Sequence, residues 1–288
     1  MSTRIRVLVA LDPADPRREV LDAAASLCRG VQMELEGLFV EDTRILRLGE
    51  LSFAREVAHA TGAVRSLNTR TLDRQLRAQA MLVRNTFESA ARQLGVRHSF
   101  RILRGEVLGG LEERAGKFDI VVVGKAGRHV GQRSWLGKSV HRLATLRGRT
   151  VVFVQGEWRT GRSVLVLAGG QESGSPALQL AAKIARADDL PLVILGAARE
   201  GPGEAALQSL SMRPTRVGFR PLWRMDTDSL IEAAVAEDAR VLVLTRPLAD
   251  QGGDMIAGLL ERIESSVVLT GEDSLGNVFG EEVTPGGA

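Results

Sequence analysis

The sequence predicts an α/β protein with two doubly wound, five-stranded parallel sheets of Rossmann-like type in tandem. Three observations lead there. Short apolar runs of strand length alternate with amphipathic helical segments, the pattern of a parallel sheet covered on both faces. The alternation then restarts near mid-chain: Ser163 to Leu167 echoes Arg6 to Ala10, and Arg240 to Thr245 echoes Ile120 to Val123. Finally, the apolar run Ile120 to Val123 meets Gly124, then Gly127 and Gly137, before a helical pattern resumes near Ser139. Strand, glycine turn, loop and helix start aim backbone N–H groups at one point, where an anion is favoured.

Each element has its own signal. Arg6 to Asp12 reads as the first strand. Leu21, Ala24, Ala25 and Cys28 mark the helix after it, with Cys28 as a small buried hydrophobe. Leu38 to Asp42 reads as the second strand. Residues 42–71 least resemble a minimal domain: Leu46, Leu48, Leu51, Phe53 and Val57 among arginines predict a partly helical insertion over the sheet edge. It serves as a lid or as an interdomain contact; the sequence leaves both open. Leu72, Leu76, Ala80, Val83, Phe87, Ala90 and Leu94 follow at helical spacing, which extends the insertion to 42–95. Phe100 to Gly105, Ile120 to Val123 and Val151 to Val154 supply three more strands.

Residues 156–162 are polar and glycine-bounded, so they read as a linker. Beyond it, Pro176 opens a helix carried by Ala177, Leu180, Ala181, Ile184 and Ala185. Pro191 to Leu195 and Val217 to Leu222 read as strands, the latter despite Pro221. Asp226 to Asp228 caps a helix carried by Leu230, Ala233 and Ala234. Ile256, Leu259, Leu260 and Ile263 carry another helix, and Ser266 to Thr270 closes the set. Domains are expected at 1–156 and 162–271, with a mobile tail over 272–288.

Composition narrows the function classes. A chain of 288 residues has room for two ordinary cores. With 44% hydrophobic and 25% charged residues it reads as a soluble globular protein. No apolar run reaches membrane-span length, so no membrane insertion is expected. No export signal is expected either, because a strand begins almost at once. Cys28 is the only cysteine, which excludes an internal disulfide and fits a cytoplasmic setting. A net charge of +3 does not argue for nucleic acid. Arg70, Arg74, Arg77, Arg84 and Arg92 lie mostly off the apolar stripe of their helix and have no interleaved aromatics, so they read as a solvated face. His59, His98, His129 and His141 show no metal-ligand spacing. No hydrolase elbow and no convergent carboxylate pair is visible, so no catalytic residue is assigned.

The glycine loop is neither of the common phosphate motifs. Gly137, Lys138 and Ser139 end like a Walker A loop, but Gln132 stands where its first glycine belongs. The glycines also miss the dinucleotide spacing. Taken alone, a tight turn without ligand is as good a reading. In context, Gly124–x–x–Gly127, nine residues, then Gly137 resembles the nucleotide motif of universal stress proteins. The resemblance extends over residues 4–155, through Arg6 to Asp12, Leu38 to Asp42, Phe100 to Gly105 and Val151 to Val154.

That resemblance implies a site. Asp12 would contact the adenine and ribose region, and the backbone of Val40 would meet adenine. Gly124, Gly127, Arg128, Gly137, Lys138 and Ser139 would surround the phosphates. The family normally has Ser or Thr directly after the last glycine, where this chain has Lys138. Two readings follow: an altered phosphate grip completed by Ser139, or a degenerate site with Lys138 in solvent. The resemblance further implies a stress-response regulator that binds ATP or AMP, with or without Mg. Its two halves would pair as an intramolecular pseudo-dimer through Val151 to Val154 and Val267 to Thr270, and a homodimer is open. The alternatives are an interaction scaffold that binds no nucleotide and a weak ATPase. In the second half, Ala168, Gly169 and Gly170 stand in place of Asp12, and Arg246 to Ala249 in place of the glycine pair. Pro247 there removes a backbone donor, so one site per chain is expected.

Overall fold

The computed structural model describes residues 4–11, 19–42, 47, 50–51, 55–57, 62, 64–66, 68–105, 111, 113–124, 143, 148–167, 176–196, 210, 214–245 and 253–271. Among the described residues there are twelve strands: β1 Ile5–Leu11, β2 Met33–Asp42, β3 Arg55–Val57, β4 Val64–Ser66, β5 Arg97–Gly105, β6 Ile120–Gly124, β7 Thr150–Val154, β8 Ser163–Leu167, β9 Leu192–Gly196, β10 Val217–Pro221, β11 Ala239–Thr245 and β12 Ser266–Thr270. The helices used below are α1 Glu19–Leu27, α2 Thr69–Gln93, α3 Pro176–Ala187, α4 Thr227–Ala236 and α5 Gly253–Arg262.

Ten strands form one sheet in the order β10-β9-β8-β11-β12-β7-β6-β1-β2-β5. Every neighbouring pair is parallel except β7 and β12, which run antiparallel with Val151 opposite Leu269, Val152 opposite Val268 and Phe153 opposite Val267. The sheet thus consists of two parallel five-strand sets joined edge to edge. Both faces are covered, and the apolar runs are the reason. β6 buries Ile120 to Val123, and all of β7, β8, β9 and β12 is buried. Alternate residues divide between two layers. Val7, Val9, Ile120 and Val122 pack with α1, α2 and α3. Leu8, Ala10, Val121 and Val123 pack with α4, α5 and Leu143.

The edges carry residues that suit an edge. β5 is largely exposed and presents Arg97 and Arg101, charges that discourage pairing with a second chain. β10 ends at Pro221, opposite Gly196, where a missing donor is tolerated.

Helix α2 begins at Asn68, whose side-chain oxygen accepts from the Arg70 backbone N–H at 2.8 Å. Its apolar stripe is buried at Leu76, Ala80, Val83, Phe87 and Ala90. The arginine face is solvated, with Arg77–Asp73 and Arg84–Glu88 pairs at 2.8 Å one turn apart. Phe87 lies against Gly37 of β2, where a Cβ would come within 2.9 Å of its ring. His98 packs edge-on to Phe87, with ring centroids 6.2 Å apart. Within the expected insertion, β3 and β4 form an antiparallel ribbon, with Val57 opposite Val64, β-branched residues that favour extended backbone.

The expected linker is more than a tether. Trp158 is only 2% exposed and belongs to the layer of α1 and α3. Gly161 has φ +99°, and a Cβ there would lie 2.5 Å from the Arg240 backbone nitrogen. Asp188, just past α3, receives Arg29 at 3.1 Å, Arg240 at 3.0 Å and the Ser26 hydroxyl at 3.2 Å. Beneath this lie Cys28 and Lys183, both buried. Burial pushes the Cys28 thiol up to about 12 and brings the Lys183 ammonium down from 10.5 to about 8.

Two outcomes follow. Gly161→Ala should lower stability by about 2–4 kcal/mol, because the new Cβ meets backbone and φ is strained. A lower denaturant midpoint at unchanged slope would register it. Lys183 binds fewer protons folded than unfolded between pH 8 and 10.5, so stability should rise with pH across that window. Lys183→Met should remove this rise and stabilise the fold at pH 7 by about 1–3 kcal/mol, read from melts at several pH values.

Candidate functional site

The sheet order fixes where a crevice opens. From β1 the chain goes to β2 on one side, and after β5 it returns to β6 on the other. α1, which follows β1, packs on one face and Leu143, which follows β6, on the other, the strand order at whose carboxyl ends doubly wound sheets form a crevice. Ala10 pairs with Val123, so the last residues, Leu11 and Gly124, reach that crevice side by side. Asp12 and the glycine loop follow them directly in sequence.

Val40 and Gly124 are the two sequence-predicted site residues that the structure describes. Asp12, Gly127, Arg128, Gly137, Lys138 and Ser139 lie outside the described residues, as do His129, Trp135 and His141. Val40 is the first β2 residue past the last β1 pair, Leu11 with Phe39. It sits opposite Leu103 of β5, and both pack against the buried cluster that contains Leu38, Leu111 and Leu143. Its position on the rim suits a backbone contact.

Gly124 differs from expectation in what its missing side chain does. It is not in the left-handed region and still pairs with Val154 as regular strand. A Cβ would lie 3.1 Å from Cγ1 of Val20. The glycine therefore lets α1 settle directly onto the strand end, and no sharp turn occurs at this residue. The alternation explains this: Ile120 and Val122 face the α1 layer, and Gly124 continues that face.

Sequence reading missed two groups near the rim. Glu19 opens α1 beside Val20, and its Oε2 is buried with no hydrogen-bond partner among the described residues. A shielded acceptor of this kind is costly unless a donor reaches it. Glu41, next to Val40, is 4% exposed and accepts from Arg104 Nε at 2.5 Å. The other arm of Arg104 reaches Asp73 of α2 at 3.2 Å. The Glu41 carboxylate, through its hydrogen bond and its charge, holds the Arg104 guanidinium above its ordinary pKa. This set ties the carboxyl end of β2 to β5 and α2. Its signal was present, since Glu41 and Arg104 are registered partners on adjacent strands; reading it required knowing that β2 and β5 are neighbours.

The corresponding strand ends of the second set are those of β8 and β11, where Val166 pairs with Val243. Ala168 to Gly170 and Arg246 to Ala249 lie outside the described residues. A cleft of about 820 Å³ lies elsewhere, bordered by Gln155, Thr160, Asp238, Arg240 and Ser266. Among the described residues no group of three or more His, Cys, Asp or Glu side chains could hold a metal, and no helix is long and apolar enough to cross a membrane.

Neither a protein-family model nor a curated protein sequence matches the chain. Solved structures do. A universal stress protein from Archaeoglobus fulgidus DSM 4304 matches with TM-score 0.61 and 14% identity, over 93% of this chain and 96% of its own. A functionally unknown protein from Pseudomonas aeruginosa PAO1 matches with TM-score 0.54 and 14% identity, over 95% of this chain and 94% of its own. Identity at this level speaks for architecture, and the agreement covers nearly the whole of each chain. The chain has the universal stress protein fold.

Proposed function

We propose that the crevice between β1 and β6 binds an adenine nucleotide and that the chain acts as a cytoplasmic stress-response regulator. The observation that carries this reading is a coincidence of topology and motif. The crevice is bounded by Leu11 and Gly124, and the next residues are Asp12 and the Gly127–Gly137 loop. Doubly wound sheets bind ligands at such a point, and strand–glycine–helix turns favour phosphate.

In this reading Asp12 and the Val40 backbone take the adenosine end, and Glu19 offers a further acceptor. Gly127, Arg128, Gly137, Lys138 and Ser139 take the phosphates of ATP or AMP. A Mg ion would accompany ATP through its phosphate oxygens. Lys138 supplies charge on a flexible stem where the family has a hydroxyl, and Ser139 supplies the hydroxyl one residue later. The output is conformational or through a protein partner, because no base is identified for hydrolysis. The chain then divides into units 1–156 and 162–271, paired as an intramolecular pseudo-dimer through β7 and β12. Because Pro247 lies where the second cradle would need a donor, only the first unit carries the site.

Calorimetric titration with ATP should saturate at one site per chain; two equal sites would overturn the asymmetry. Mass spectrometry of ligand released from native protein should find ATP or AMP, and a clean protein with no ATP affinity would favour the scaffold. Among variants, Gly127→Val should abolish binding with the fold intact by circular dichroism, since its branches block close phosphate approach. Lys138→Ala should weaken ATP roughly 10- to 100-fold and leave adenosine nearly unchanged, as loss of one charge-assisted contact. Asp12→Ala should weaken both. Unchanged ATP affinity in Gly127→Val would remove the phosphate cradle.

A further inference from the structure

Helix α2 is 25 residues long and carries five arginines against two carboxylates. At 3.6 residues per turn, Arg70, Arg74, Arg77, Arg84 and Arg92 fall within about 80° of arc, on a ridge about 33 Å long. The ridge lies outside the buried stripe of Leu76, Val83 and Phe87, and all five arginines are exposed.

The two carboxylates do not neutralise this ridge. Asp73 pairs with Arg77 and Glu88 with Arg84, both at 2.8 Å. Among the described residues Arg70, Arg74 and Arg92 have no carboxylate within ion-pair distance. Five arginines less two carboxylates leave the helix at +3, as much as the formal net charge of the whole chain. Midway along the same outward side the helix turns apolar. Met81 is 53% exposed and Leu82 60% exposed, with exposed Ala78 one turn before them. The core does not use these side chains, because its stripe runs through Val83 and Phe87.

Basic turns thus flank an apolar one, and the occupant has to suit both. A second copy of α2 would set arginine against arginine. A nucleic-acid strand would meet the charge, but the exposed face has no aromatic residue for its bases and Met81 and Leu82 would gain nothing. A partner helix needs a groove and a large anchor, whereas this face is the convex outside of a helix without Trp, Tyr or Phe. An anionic bilayer uses every part. Its phosphates take the guanidiniums, its plane follows a straight ridge, and its acyl boundary takes Met81 and Leu82.

We propose that the outward face of α2 is a peripheral docking surface for an anionic phospholipid bilayer, with Arg70, Arg74 and Arg92 as its free charges and Met81 and Leu82 as its apolar contacts. The helix lies along the bilayer surface and does not cross it, since its other side is committed to the core at Leu76, Ala80, Val83 and Phe87. Nothing in the proposal draws on the crevice at Leu11 and Gly124, so it stands apart from the nucleotide reading.

The test is co-sedimentation of the full chain, without nucleotide, with vesicles of phosphatidylcholine alone or with one third phosphatidylglycerol. At about 0.05 M sodium chloride, partitioning into the anionic vesicles should exceed that into neutral ones roughly 100-fold, and at about 0.5 M most of it should be lost. Arg70→Gln, Arg74→Gln and Arg92→Gln together should weaken it at least roughly tenfold. Met81→Gln with Leu82→Gln should weaken it about fivefold or more. Glutamine is close to these residues in helix propensity, and circular dichroism checks that the fold is kept. Arg162→Gln, Arg216→Gln and Arg224→Gln together remove the same charge from exposed positions outside α2 and should change binding by less than about twofold. Poly-dT and polyglutamate are run in parallel as probes for a nucleic-acid or an acidic protein partner. Equal partitioning into both kinds of vesicle, an equal loss in the control triple, or an unchanged affinity in the Met81 and Leu82 double variant would each overturn the proposal. So would binding of poly-dT or polyglutamate by a chain that binds no vesicle.

Discussion

The rest of the molecule depends on the antiparallel contact between β7 and β12. Both strands are buried along their whole length and are almost wholly apolar. Left unpaired, each would present an open hydrophobic edge of the kind that recruits other chains. Paired, they merge two parallel sets into one sheet and close the interior edge of both. The layers above and below then run through the junction, so α1 and α3 share one core with Trp158 between them. The outer edges could afterwards be given to strands of lower quality. β5 carries arginines and β10 ends in proline, residues that a central strand would not accept.

Reversal of direction at this contact has a geometric effect. In each set the crevice lies at the carboxyl ends of the strands. Because β7 and β12 run in opposite senses, these ends face opposite ways in the two sets. The crevice at Leu11 and Gly124 and its counterpart at Leu167 and Thr245 are therefore not placed to share one ligand. Cooperation between them would pass through the sheet and the shared layer, where packed side chains and the Asp188 ion pairs couple the sets.

Much of this was legible because buried parallel strands write themselves as apolar runs. Ile120 to Val123, Val151 to Val154 and Ser163 to Leu167 are strands where the runs occur, and α2 follows its seven-residue stripe. The cap at Asp226 was legible for the same local reason: its carboxylate accepts from the Ser229 N–H at 2.9 Å, which holds its pKa below the ordinary value. What escaped depends on contacts distant in sequence. The connector looked polar because six of its seven residues are charged or glycine or threonine neighbours of one buried indole; only the meeting of α1, α3 and β11 gives Trp158 a place to go. The strand ribbon at 55–66 escaped because helical and extended patterns are hard to separate in runs this short. At the candidate site, Gly124 was found by its place after a strand, yet its neighbour Val20 lies more than a hundred residues earlier.

Cys28 is the chain's single thiol, and it is buried just past the end of α1, where burial pushes it up to about 12. At pH 7 roughly one molecule in 100,000 would hold it as thiolate, the form that reacts with peroxides and disulfides. Thiol oxidation therefore has little purchase on the folded protein, and a redox signal read through Cys28 would first have to open the layer that α1 and α3 share.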